Sequence, residues 1–231
     1  MELLLQTYQA TYFTNNSDVT ATPPILSMLL THLSGLSLLP MFGQEVNGFS
    51  GEKRQMVIMT DAEQKFRVEF PQGATIFHGT GGTGEEFINK VEGVVRALQS
   101  LFPTKKATRL SVVDISYYKD SPEKYSELYR KMFTYHDADP FEWDNRIVEH
   151  ITLPGSNEKA NSGSAVRRCI IQTPFANNNI PSDVINFEVE TNTVIENNAL
   201  RFDFIGAIPV LQELYENNKK LISDLSRYSD K

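Results

Sequence analysis

The chain has 231 residues, 40% of them apolar and 22% charged, an ordinary globular composition long enough for one large domain or two small ones. Its 29 acidic against 22 basic residues give a formal net charge of -7 and a pI near 5.2, so no excess of positive charge is available to neutralise a phosphate backbone and general nucleic-acid binding is excluded. The single cysteine, Cys169, excludes an intramolecular disulfide and any zinc or iron–sulfur site built from cysteines.

The opening MELLLQTYQATYF has its leucines interrupted by Gln6, Thr7 and Gln9, with no basic n-region and no small-residue cleavage site, so no signal peptide is expected. The longest apolar stretch, from Pro23 to Phe42, is broken by Ser27, Thr31, His32, Ser34, Gly35 and Ser37, and no membrane span is expected. A cytoplasmic location follows as the expectation, and it leaves the glycosylation-like Asn15-Asn16-Ser17 unused.

In chain order, Leu3 to Phe13 reads as a strand, closed by a cluster of Asn, Ser and Asp that bond to their own backbone. Pro23-Pro24 opens a helix whose Leu26, Leu29, Leu30 and Leu33 recur at spacings of three and four. Met41 to Arg54, with its glycines and few apolar residues, reads as a loop, and Gln55 to Thr60 with Lys65 to Phe70 as a hairpin. A third short run, Ala74 to His78, enters HGTGGTGEE, after which Glu85 to Phe102 carries the clearest helical period. Leu110 to Tyr118 is a strand and Ser121 to Phe133 a helix. Arg146 to Leu153 is a further strand, followed by an exposed flexible loop over 154–164. Val166 to Thr173 and Val184 to Thr191 are strands, Ala199 to Phe204 a short one, and a helix entered at Pro209 runs to Tyr228.

This order describes a single α+β domain over 1–231, with a largely antiparallel sheet, helices packed on one side and a long amphipathic C-terminal helix. With VINFEVETNT before the last strand and that long helix, the layout resembles a sporadically distributed prokaryotic family of uncharacterised α+β proteins. The resemblance implies an accessory or antitoxin-like role in a bacterial defence locus, and no functional residues come with it.

Gly79, Gly81, Gly82, Thr83 and Gly84 are the candidate ligand-binding residues, because a glycine loop before a helix presents backbone N–H groups to an anion. Glu85 and Glu86, however, stand where a phosphate loop needs lysine, and Thr83 with Glu86 fits a capping box. His136, Asp137 and Asp139 are the candidate metal ligands, hard donors within one short acidic segment that matches no standard ligand loop. Phe141 and Trp143 are the candidate partner contacts, with a core position as their other reading. Cys169 reads as a buried strand hydrophobe, and Asp114 as a strand carboxylate in want of a partner. No nucleophile elbow, HExxH or GxGxxG after the first strand occurs, and no cofactor is expected. The leading expectation is a non-enzymatic cytoplasmic interaction module binding a protein partner or a second copy. The alternative is an enzyme or ligand-binding protein using 136–144 or 78–86. Convergence of His136, Asp139 and Asp114 in one cleft would favour the enzyme, and a flat apolar patch the module.

Overall fold

A computed structural model describes residues 1–46, 48, 50–135 and 137–228 in full, and residue 229 along its backbone. The strands are β1 (Glu2–Phe13), β2 (Leu39–Val46), β3 (Lys53–Thr60), β4 (Phe66–Glu69), β5 (Thr75–Thr80), β6 (Lys106–Ala107), β7 (Arg109–Lys119), β8 (Trp143–Thr152), β9 (Lys159–Ile171), β10 (Ser182–Thr193) and β11 (Phe202–Asp203). The helices are α1 (Pro23–Leu33), α2 (Gly84–Leu101), α3 (Pro122–Met132) and α4 (Phe204–Ser229). Among the described residues, nine strands form one antiparallel sheet in the order β2-β3-β4-β5-β1-β7-β10-β9-β8, and β6 pairs with β11 apart from it.

Alternation along the strands decides which face the helices cover. Tyr8, Ala10 and Tyr12 of β1 stand in one row system with Leu110 and Val112 of β7, and all are buried against α2 and α4. Tyr12 stacks on Phe204 at 4.6 Å between centroids, and Tyr8 on Phe87 at 5.4 Å. Further along the sheet, Trp143, Val166, Ile185 and Phe187 pack with Tyr125, Leu128 and Tyr129 of α3 and Leu225 of α4. The four helices therefore share one face, and the α+β layout with its long C-terminal helix stands as expected. No described helix is long and apolar enough to cross a membrane.

Three segments depart most from the sequence reading. The stretch read as a loop from Met41 to Arg54 contains most of β2 and the start of β3. Gly43 lies within β2, where a Cβ would sit 2.9 Å from the Ile58 side chain. As an edge strand, β2 lacks the strict alternation that burial imposes. The loop expected over 154–164 shrinks to a turn before Lys159, because Ala160, Ser162 and Ser164 pair in register with Thr193, Thr191 and Val189 of β10. That turn is tied down: Glu213 of α4 accepts from the Ser156 hydroxyl at 2.6 Å and from its backbone N–H. Finally, α4 starts at Phe204, which puts Pro209 inside the helix, and Asp203 caps it by accepting from the Gly206 N–H at 2.6 Å.

Leu214 is fully buried where α4 crosses the sheet. Leu214→Ala is expected to cost about 2–5 kcal/mol in urea denaturation, whereas Leu200→Ala, at an exposed site, should stay within about 0.5 kcal/mol.

Candidate functional site

Between α4 and the sheet lies a polar seam with apolar packing on both sides. Asp114, on β7, turns toward the helices and is 2% exposed. Asn218 Nδ2 donates to Asp114 Oδ2 at 2.6 Å and to the Val112 carbonyl at 3.1 Å. The Thr191 hydroxyl donates to Asn218 Oδ1 at 2.6 Å, and Asn217 Nδ2 donates to Thr191 Oγ1 and Ser162 Oγ, both at 2.9 Å. Burial pushes the Asp114 carboxyl up to about 6, against the opposing pull of the Asn218 hydrogen bond. Burial also raises the Tyr8 phenol, with Asp114 the next cause, and brings that of Tyr215 to about 12. Asp114 thus has acid–base character, but it is sealed under α4 rather than presented in a cleft.

The glycine loop borders this seam. Thr83 Oγ1 accepts from the Glu86 N–H at 3.2 Å and Glu86 Oε2 from the Thr83 N–H at 2.9 Å, a complete capping box. Gly81 and Gly82 hold φ of 71° and 69°, the left-handed region where a Cβ is strained. A Cβ at Gly79 would lie 2.6 Å from Phe87, and one at Gly84 2.6 Å from the Tyr215 hydroxyl. Gly79 lets α2 approach the sheet and Gly84 lets α4 approach α2, and the amides of Gly81, Thr83 and Glu86 are already bonded within the chain.

The acidic segment does not join the seam. Asp137 and Asp139 are exposed, and Asp139 accepts from the Ser126 hydroxyl of α3 at 2.7 Å; His136 lies outside the described residues. Among the described residues no group of three or more His, Cys, Asp or Glu is placed to hold a metal ion. Asp139 and Asp114 do not share a cleft, so the described part of the convergence that would favour an enzyme is not met. Phe141 and Trp143 part company. Phe141 is 75% exposed, whereas Trp143, expected beside it as a partner contact, is 8% exposed, because β8 turns it onto Tyr129 and Phe133. Cys169 is half-buried on β9, and burial raises its thiol.

The face without helices carries charges that mostly satisfy one another. Arg167 meets Glu188 and Asp144, each at 2.8 Å, and Glu69 is approached by Arg67 at 2.8 Å and His78 at 3.5 Å. A cleft of about 320 Å³ lies there, lined by Gln9, Arg67, His78 and Phe175 among others.

The outer edges of the sheet are a feature that sequence reasoning missed. Among the described residues, β2 and β8 each pair on one side only. β2 exposes Leu39, Met41, Phe42 and Val46, but carries Pro40, which has no N–H to offer. In β8 every residue from 146 to 150 is exposed, including Ile147 at 67% and Val148 at 48%, one on each face. A strand over 146–153 is legible in the sequence, but its place at the rim depends on the order of nine strands.

No protein-family model matches the sequence, and no curated protein matches it.

Thr83→Ala is expected to cost about 1 kcal/mol in thermal or urea unfolding, the usual worth of a helix cap. For Asp114 the folded value lies above the ordinary 3.8, so its contribution is fully present below 3.8 and lost as pH rises through about 6. Wild-type stability should fall by about 1–3 kcal/mol across that window relative to Asp114→Asn, as read by urea titrations at several pH values.

Proposed function

We propose that this protein is a non-enzymatic interaction module that takes a partner along the free edge of β8. The observation that carries this reading is a ten-residue edge strand with Ile147 and Val148 exposed on its two faces. An unpaired edge offers a row of N–H and C=O groups to an incoming strand, and the side chains beside them select which strand fits. The sealing of Asp114 under α4 supports the same reading, because its carboxyl has no cleft in which to meet a substrate.

The alternative sites have less behind them. The glycine loop of 78–86 uses the amides of Gly81, Thr83 and Glu86 in a helix cap and a strand contact, and Asp137 and Asp139 stand in an exposed segment. The acidic balance of the chain argues against a nucleic-acid partner. A cytoplasmic location, and a place as an accessory or antitoxin-like component of a bacterial defence system, rest on the composition and on the resemblance in element order.

Wild type, Ile147→Lys/Val148→Lys and Asp114→Asn, each used as bait in native lysate, test the reading. Proteins held by the wild type should be depleted at least tenfold by the edge variant and retained by Asp114→Asn, with the edge variant's melting temperature close to wild type. Loss of those proteins with Asp114→Asn and retention with the edge variant would place the function at the buried carboxylate instead.

A further inference from the structure

We propose that the occupant of the β8 edge is a second copy of this chain, its β8 antiparallel to the first about a two-fold axis normal to the sheet, with Ile147 facing Ile147. The step rests on the reading of β8 as an interaction edge and names the partner.

Symmetry leaves few arrangements. A two-fold axis normal to the sheet keeps each face on its own side, so a residue can only meet one of the same parity, and the axis must pass through a single β8 position. Two centres pair nine of the ten residues: Ile147 pairs Trp143 through Ile151, and Val148 pairs Asp144 through Thr152. Centring on Val148 sets Arg146 opposite His150 and the apolar Ile147 opposite Glu149. Centres at Arg146 or Glu149 oppose like charges directly, which destabilises a pair.

Centring on Ile147 opposes no like charges and sets the apolar Ile147 against its own copy. On the helix-bearing face, Trp143 meets Ile151, Asn145 meets Glu149, and the two Ile147 side chains meet each other. On the other face, Asp144 meets His150 and Arg146 meets Val148. Each polar pair joins an N–H donor to a carboxylate, since the Asn145 amide faces Glu149 and the His150 imidazole faces Asp144. Asp144 receives Arg167 on Oδ2, which leaves a second carboxylate oxygen as acceptor. Arg146, 3.8 Å from Glu190 of its own chain, has a countercharge without calling on the second copy.

The two edges of the sheet also differ in how they are guarded. β2 contains Pro40, whereas β8 has no proline or lysine from Trp143 to Thr152, and two of its charged side chains, Asp144 and Arg146, have partners of opposite charge in their own chain. Phe141, exposed two residues before β8, extends the apolar surface past the last paired residue.

Sedimentation velocity on the full chain from micromolar to submillimolar concentration reads the proposal directly. The expected result is a concentration-dependent monomer–dimer equilibrium that Ile147→Lys shifts to monomer. His150→Glu, which sets a carboxylate opposite Asp144 twice, should weaken the dimer by about tenfold, and adding Asp144→Arg, which sets opposite charges there, should restore it. As a second reading, Ile147→Cys in a Cys169→Ser background should form a disulfide-linked dimer, and Val148→Cys should not. A wild type that stays monomeric throughout, or a dimer that Ile147→Lys leaves intact, overturns the proposal. If the wild type is monomeric yet the edge variant loses its lysate partners, the second copy is wrong and the module reading stands; if those partners are also kept, the module reading fails with it.

Discussion

The hydrogen bond from Asn218 to Asp114 sets where the C-terminal helix can lie. A buried carboxyl and a buried amide are tolerated only when paired, and each such group left unsatisfied costs about 1–3 kcal/mol. Sliding α4 by one turn would strand Asp114, Thr191 and Asn218 together. The apolar contacts of Phe204, Leu211 and Leu214 help to draw helix and sheet together, but such contacts are non-directional and do not choose one register over its neighbours. The polar seam makes that choice.

The position of α4 decides what is covered and what is left open. It runs over β7 and β10, and the Ser156 turn of the β8–β9 hairpin is tied to Glu213 at its flank. Tyr129 of α3 and Phe133 just past its end cover the Trp143 end of β8. Neither reaches residues 146–150, so the rim of the sheet stays bare on both faces. A carboxylate closed off from solvent and an edge strand left uncovered are two outcomes of one packing arrangement.

Much of the fold was legible where a local rule coincides with tertiary packing. α2 combines an apolar stripe with a complete capping box, and both signals stand in the sequence. β1 and β7 alternate as half-buried strands do. Reading failed where distant partners override composition. Asn161-Ser-Gly-Ser164 looks like a loop, yet it is strand because β10 lies beside it and Asn217 reaches Ser162. Pro209 looks like a helix entry, but Asp203 supplies the cap and Phe204 stacks on Tyr12 one turn earlier. Asp114 was visible as a strand carboxylate, whereas its partner lies 104 residues further along the chain and no spacing rule connects them. The exposure of Ile147 and Val148 depends on β8 being last of nine strands, a property of topology rather than of any local segment.

Amide hydrogen exchange on the wild-type chain at low and at high protein concentration tests most directly the claim that function lies along the β8 edge. Outward-facing amides from Trp143 to Thr152, which find carbonyl partners only when a strand is added, should slow selectively as concentration rises, while the α4 and β7 amides around Asp114 stay unchanged. Slowing centred on β2, on the 78–86 loop or on α4, with β8 exchanging equally fast at both concentrations, would contradict the account.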